Sequence, residues 1–106
     1  MASIFKSSKP SNPNAFRVEK VVVTTAGTPV QLPNIALSAG VKVMLTKPDG
    51  EAGITYIANS SANTGDATKR FELEMGDSLM LQVKNTNLVW IDGTLNGNSI
   101  ILTVEA

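Results

Sequence analysis

Apolar and polar residues alternate along most of the chain, in short runs that are separated by turn-forming residues. In residues 41–46, VKVMLT, every odd-numbered position is apolar and would lie on one face of a strand. Residues 69–75 and 78–84 repeat this pattern, and no 3.6-residue period is sustained over ten residues. The pattern predicts an all-β fold of seven or eight short strands, arranged as a single antiparallel β-sandwich (Ig-like or a small jelly roll) over residues 16–106.

Turn-forming residues predict how some of these strands are joined. Residues 47–50, KPDG, combine a proline that presets φ with an aspartate and a glycine that accepts positive φ. They predict a hairpin between strands at 41–46 and 53–59. The Asp-Gly and Asn-Gly pairs within residues 92–97 predict a second hairpin, which joins the last two strands and has Leu95 at or near its tip.

Residues 1–15 have a different composition from the rest of the chain. They lack any strand or helix period, and they contain two prolines that disfavour both structures. We interpret them as an extended N-terminal arm, and the apolar pair near its tip suggests an anchor. A solvated terminus with two stray apolar residues is the alternative. The residues predicted to contact a capsid or a neighbouring subunit are Ile4, Phe5, Lys6, Lys9 and Arg17.

The strand that contains the only tryptophan is apolar on both faces. In residues 88–92, LVWID, alternation places Leu88 and Trp90 on one face and Val89 and Ile91 on the other. One face must form the sandwich interior, so the other needs a cover from a loop, the arm or a second subunit. We predict a subunit interface at Leu88 and Trp90, and an exposed ligand platform is the alternative.

Composition argues against most chemistry. The chain has no cysteine and no histidine, so thiolate chemistry is excluded, as are the commonest general base and transition-metal ligand. Glu72 and Glu74 share a strand face with Arg70, which favours a solvated, salt-bridged surface over an acid–base pair, and Asp49 is explained by its turn. We therefore predict no enzyme activity, no cofactor and no metal site.

The charge distribution argues against nucleic acid as a partner. The formal net charge is zero, but residues 1–20 carry four basic residues and one acid, whereas residues 21–106 carry five basic residues and eight acids. No apolar run approaches the ~18 residues that span a bilayer, and the N-terminus lacks the apolar core of a secretory signal. We expect neither membrane binding nor export by a signal peptide.

Three segments together resemble a group of small all-β virion proteins encoded by tailed bacteriophages. They are VVVTTAGTPVQL, GVKVMLTKPDGEAGITYIANSS and FELEMGDSLMLQVKNTNLVWIDGTLNGNSIILTVE, and the resemblance covers about residues 20–105. The chain departs from the group's pattern in having Met75 where proline is common and Trp90 where tyrosine is usual. The positions that carry the resemblance are Gly27-Thr28 with Leu32, Tyr56, residues 76–79 and residues 89–93.

The resemblance implies a structural virion component. The function expected from it is a capsid decoration (cement) protein that binds the outer capsid surface and stabilises the head through subunit contacts. Such a protein would be made in the host cytoplasm and would act as a homo-oligomer, with a trimer favoured, on the major capsid protein or another virion protein. A glycan- or receptor-binding module on a phage fibre or tail is the alternative.

Overall fold

The computed structural model describes residues 16–105, which form eight strands and two short 3-10 turns, at Ala62–Gly65 and Thr86–Leu88. This part of the chain contains no α-helix, and the predicted all-β class is confirmed. The predicted arm, residues 1–15, lies outside the described residues. The strands are β1 Phe16–Val22, β2 Val30–Gln31, β3 Val43–Thr46, β4 Thr55–Ala58, β5 Phe71–Leu73, β6 Ser78–Leu81, β7 Trp90–Gly93 and β8 Ser99–Glu105.

The strands form two four-stranded antiparallel sheets. Sheet A has the order β1-β8-β3-β6, and sheet B has the order β2-β7-β4-β5. The pairs β1·β8, β2·β7, β3·β6 and β4·β5 are nested, as if one long hairpin had been rolled up. An eight-stranded, double-sheet arrangement of this kind is a jelly roll, and it differs from the seven-stranded immunoglobulin order. The structure therefore distinguishes the two architectures that the sequence left open.

The core lies between the inner faces of the two sheets and follows the predicted alternation. Sheet A contributes alternate residues of β3 and β8, and sheet B contributes alternate residues of β4, β5 and β7. Each large aliphatic side chain buried in this way stabilises the fold by about 1.5–3 kcal/mol relative to exposure. The buried apolar side chains of the cluster are Val23, Leu32, Ile35, Val43, Leu45, Ile57, Leu73, Val89, Ile91, Ile100, Leu102 and Val104.

The predicted hairpin between 41–46 and 53–59 is wrong. β3 pairs with β6 and β8 in sheet A, whereas β4 pairs with β5 and β7 in sheet B. The turn itself is present, because Gly50 has a φ of 80°. However, Lys47 continues the ladder of sheet A: its N–H donates to Asp77 O at 2.9 Å and its carbonyl accepts from Gly76 N at 3.0 Å. Turn residues determine where the chain bends, but the strand that follows chooses its partner through tertiary packing.

The predicted hairpin between the last two strands is also wrong, because β7 belongs to sheet B and β8 to sheet A. The connection between them bends as predicted, with Gly97 at a φ of 88°. It is held to the connection between β3 and β4 by Asn98, which is 2% exposed. The Asn98 amide donates to Ala52 O at 2.8 Å, and its oxygen accepts from Leu95 N at 3.0 Å. A Cβ at Gly93 would lie 2.5 Å from the Asn98 Cβ, so this packing requires glycine there.

Candidate interaction surfaces

The outer face of sheet B carries Trp90 among polar neighbours. Cross-strand register places Gln31, Trp90 and Ala58 in one row. Asp92, Tyr56 and Glu72 form the next row. Val89 and Ile91 are buried in the core, so their side of the strand is the interior face of the sandwich. Trp90 lies on the other face and is half-buried.

A loop of the chain itself lies over part of this outer face. The 3-10 turn at Ala62–Gly65 lies against β4 and β7. The guanidinium of Arg70 stacks 3.6 Å from the centroid of the Tyr56 ring, and it also donates to Thr64 O at 2.9 Å and to Glu72 at 3.0 Å. A loop is one of the three covers predicted for the second apolar face of the strand that contains Trp90. The Arg70–Glu72 ion pair agrees with the salt-bridged surface expected for this strand.

Asp92 anchors a second piece of chain to the outer face of sheet B. Its side chain is 7% exposed. Oδ1 accepts hydrogen bonds from the backbone N–H of Gly27 at 2.9 Å and of Gly93 at 2.8 Å. Gly27 belongs to the connection between β1 and β2, and its φ of 90° suits the bend there. Asp92 therefore has a structural role in holding this connection.

The outer face of sheet A is open and carries exposed apolar side chains among hydroxyl groups, and sequence reasoning missed it. Val18, Val22 and Met80 on this face are 54%, 44% and 60% exposed. We call this surface the sheet A outer face. Lys20 is the one charged residue in its two central rows of cross-strand neighbours. One row consists of Val18, Thr103, Met44 and Met80, and the next of Lys20, Ile101, Thr46 and Ser78.

A signal for this face was present in the sequence. Three strands contain three consecutive apolar residues, at 43–45, 79–81 and 100–102. In each run the outer two residues point into the sandwich and the middle one points out. These three-residue runs indicate apolar residues on both faces of their strands, as the longer run around Trp90 does.

An apolar groove opens between the edge strands of the two sheets. β5 is the last strand of sheet B and β6 the last strand of sheet A. The groove has a volume of about 540 Å³, and we call it the β5–β6 groove. Asn59 and Lys69 contribute polar atoms to its lining. Its apolar walls and floor include Phe71, Leu81, Val83, Leu88, Ile57 and Val89.

The predicted interface and arm residues are placed as follows. Leu88 is 51% exposed and lines the β5–β6 groove, whereas Trp90 lies on the outer face of sheet B. The two residues therefore belong to different surfaces, and their role as a subunit interface stays a prediction. Arg17 lies on β1 and forms an ion pair with Glu19. The other predicted contact residues, Ile4, Phe5, Lys6 and Lys9, lie outside the described residues.

A buried ion pair ties the two sheets together near one end of the sandwich. Lys47 is fully buried, and its Nζ donates to Glu51 Oε1 at 2.7 Å and to Thr55 Oγ1 at 3.1 Å. Glu51 also accepts from Ser99, from N at 2.8 Å and from Oγ at 2.6 Å. Because Thr55 begins β4 and Ser99 begins β8, the four residues join sheet B to sheet A. We call them the Lys47 cluster.

The electrostatics of the Lys47 cluster favour the charged pair. Burial of the Glu51 carboxyl opposes its ionisation, but the hydrogen bonds from Lys47 and Ser99 outweigh this and hold the pKa of Glu51 below its usual value. The position of Lys47 has a sequence signal, since it follows Leu45 by two residues in a strand and so points inward. Sequence reasoning read it only as part of a turn.

Two further features bear on function. Across residues 16–105, no group of three or more acidic residues is arranged to hold a metal ion. Among the same residues, no helix has the length and apolarity needed to cross a membrane.

No known family model matches the chain, and neither a curated protein nor a solved structure is significantly similar to it.

Proposed function

We propose that the chain is a structural virion protein, specifically a capsid decoration (cement) protein that binds the outer capsid surface and stabilises the head through subunit contacts. The observation that carries the proposal is the sheet A outer face. Exposed apolar side chains that cluster on one face and are bordered by polar residues are typical of interaction sites. The buried centre of a protein interface is depleted in charge and enriched in methionine, as this face is with Met44 and Met80.

The polar clusters of the described residues support a binding role over a catalytic one. Asp92 is occupied by two backbone amides, and Glu51 by Lys47 and Ser99. A catalytic carboxylate must have room to reach a substrate, whereas these groups are held by structural hydrogen bonds. Jelly rolls occur in both viral capsid and lectin domains, so the surface must decide between these roles.

In the decoration role, the sheet A outer face would rest on the major capsid protein or another virion protein. A rigid, already folded sheet binds with little loss of conformational entropy, which favours affinity for a given contact area. A homotrimer on the capsid surface is the assembly that we favour, because the trimer would present three such faces at once and gain from multivalent binding.

A glycan- or receptor-binding module on a fibre or tail has less support. Its candidate platform would be Trp90, which is half-buried beside Gln31. Tyr56, the second candidate aromatic residue, already stacks with Arg70. The Gln31 amide is engaged with Asn87 O at 2.7 Å, so few polar groups remain free to orient a sugar on this face.

The test is binding of the purified chain to particles of the encoding virus that were assembled without it. Sedimentation measures the bound fraction of the wild type, of Met80→Glu and of a control, Leu95→Glu. Met80 and Leu95 are 60% and 48% exposed, but Leu95 lies in the β7–β8 connection. We expect saturable binding for the wild type and the control and at least about tenfold weaker binding for M80E. Absence of wild-type binding would refute the decoration role, and wild-type binding by M80E would refute the assigned face.

A further inference from the structure

We propose that the β5–β6 groove is the docking site of the chain's own N-terminal segment, with the side chains of Ile4 and Phe5 in its apolar interior. The inference concerns how the protein completes its own sandwich and does not depend on the virion role. It rests on the chemistry of the groove, on the reach of the segment and on the charges of both.

The groove lies between two strand edges, above buried core side chains and between exposed apolar walls. Its floor includes Ile57 and Val89, which are 1% and 3% exposed, whereas Phe71 and Leu88 on its walls are 53% and 51% exposed. An apolar segment laid between these walls would bury both and close the sandwich on this side. β5 and β6 are edge strands, so an extended segment could also pair with their free backbone groups.

The N-terminal segment begins close enough to reach this groove in the same chain. Arg17, Val104, Val43 and Leu81 lie in one cross-strand row, so the start of β1 and the groove wall are separated by three strand spacings, or about 15 Å. Phe5 and Phe16 are eleven positions apart in the sequence, and this length can span about 36 Å when extended. Intramolecular docking therefore needs only part of the available length, and the short tether gives it a high effective concentration.

The one charged residue of the groove's lining is Lys69, and acidic residues lie beyond the lining, on the turn between β5 and β6. Residues 1–15 contain Lys6 and Lys9 and no acid. The turn between β5 and β6 holds Glu74 and Asp77, and Asp49 lies beside Gly76 in that turn. Within residues 16–105 none of these three carboxylates has an ion-pair partner. A basic segment that continues from the groove toward this turn would approach the three carboxylates favourably.

The N-terminal segment contains one apolar pair that suits an apolar groove. Ile4 and Phe5 are the only large aliphatic or aromatic residues between Ala2 and Ala15. A segment of Ser, Pro and Asn has little reason to order on its own, so an apolar pair that binds an apolar groove would have to offset the entropy lost on ordering. The two prolines favour extended backbone, which suits a segment lying along a strand edge.

The experiment is a thermal double-mutant cycle on the full chain. Phe5→Ser is made in the wild type, in Leu88→Ser and in Leu95→Ser. Leu88 lines the groove and Leu95 does not, and the two are 51% and 48% exposed, so neither single change removes a core side chain. We expect F5S to lower the Tm by about 5 °C or more in the wild type and in L95S, and by less than half as much in L88S. An equal loss in L88S, or no loss in the wild type, would overturn the proposal.

Nuclear magnetic resonance tests where the segment binds, and the molecular mass in solution tests whether it binds within one chain or between two chains. We expect Overhauser contacts from the Phe5 ring to the methyl groups of Leu81, Val83 and Leu88, confined to labelled chains when labelled and unlabelled protein are mixed. The mass by light scattering should be the same for wild type and F5S. Contacts between labelled and unlabelled chains, or an oligomer that F5S dissociates, would show docking into a second copy and overturn the intramolecular assignment. Absence of these contacts at every concentration would overturn it as well.

Discussion

The outer faces of the two sheets have similar sequence patterns, but loops of the chain cover part of one face and leave the other exposed. Both include large apolar or aromatic residues on alternate strand positions: Val18, Met44 and Met80 on sheet A, and Tyr56 and Trp90 on sheet B. On sheet B, the loop that includes Ala62–Gly65 lies against the strands, and Arg70 donates a hydrogen bond to it. Asp92 accepts a hydrogen bond from the β1–β2 connection. On sheet A, the equivalent face remains half or more exposed at Val18 and Met80.

This difference shows that apolarity alone does not identify an interface. Trp90 is predicted as an interface residue because its strand is apolar on both faces, yet it belongs to the face that the chain partly covers itself. The smaller Val and Met residues of sheet A form the uncovered surface, and an uncovered apolar patch is what distinguishes a docking site from a core. The comparison predicts that changes on sheet B cost stability, whereas changes on sheet A cost binding.

The largest expected effect is at the Lys47 cluster, which holds the two sheets together and therefore supports both faces. Glu51→Gln removes the negative partner of a fully buried ammonium group. We expect it to lower the free energy of unfolding at pH 7 by about 2–4 kcal/mol, because the charge of Lys47 is left without compensation. Urea unfolding of the wild type, of E51Q and of a control, Glu74→Gln on the exposed β5–β6 turn, measures this difference.

The pH dependence of the same pair has a defined sign. The pKa of Glu51 is lower in the folded state than its usual value of 4.5, so its stabilising contribution is complete above that value. The contribution is lost as the pH falls below 4.5 through the lowered pKa of the folded state. The difference between wild type and E51Q should therefore narrow from pH 5 to pH 3. A constant difference over this range would contradict the role of the Glu51 charge.

The second effect tests the hydrogen bonds that cover sheet B. Asp92→Ala removes the acceptor of the Gly27 and Gly93 amides, and we expect it to lower the free energy of unfolding by about 2–3 kcal/mol. Exchange of the Gly27 amide hydrogen should become faster, since its partner is lost. Asp49→Ala, at an exposed turn, is the control and should cost less than about 0.5 kcal/mol. Equal costs for the two variants would mean that Asp92 does not hold the β1–β2 connection.

The third effect concerns the loop that lies over Tyr56. Arg70→Ala removes the stacking on that ring and the hydrogen bond to Thr64 O, and we expect a loss of about 1–2 kcal/mol. Lys69→Ala changes the neighbouring exposed cation and should have little effect on stability. A quenched or shifted Tyr56 fluorescence signal in R70A but not in K69A would report the exposed ring directly. If both variants behave like the wild type, the loop is held by other contacts.

The sequence predicted the strands and their inner faces because one physical rule, alternation against a buried core, governs both. Val43 and Leu45 are buried where the alternation of residues 41–46 placed them. Strand partners could not be predicted in the same way. The turns at 47–50 and 92–97 bend as their residues require, yet each carries the chain to the other sheet, where the next strand pairs with strands that are distant in sequence.

The candidate surfaces were predictable only in part for a related reason. Exposure of the sheet A outer face depends on which loops lie elsewhere, and no local pattern around Met44 or Met80 reports the path of residues 59–70 over sheet B. The β5–β6 groove likewise arises because two strands that are close in sequence become the edges of different sheets. Such surfaces are consequences of topology, whereas the Lys47 cluster had a local signal in the inward position of its lysine.

The smallest expected change in stability is on sheet A, and the same variants compare the two outer faces directly in stability and in particle binding. Val18→Ser combined with Met80→Ser should change the free energy of unfolding by less than about 1 kcal/mol, because both side chains are more than half exposed in the folded state. Trp90→Ser, on sheet B, should cost at least about 2 kcal/mol through lost packing. The same double variant should bind virus particles more weakly than wild type, whereas W90S that is still folded should bind normally. If W90S loses particle binding and the sheet A variant keeps it, the two faces have been assigned the wrong way round.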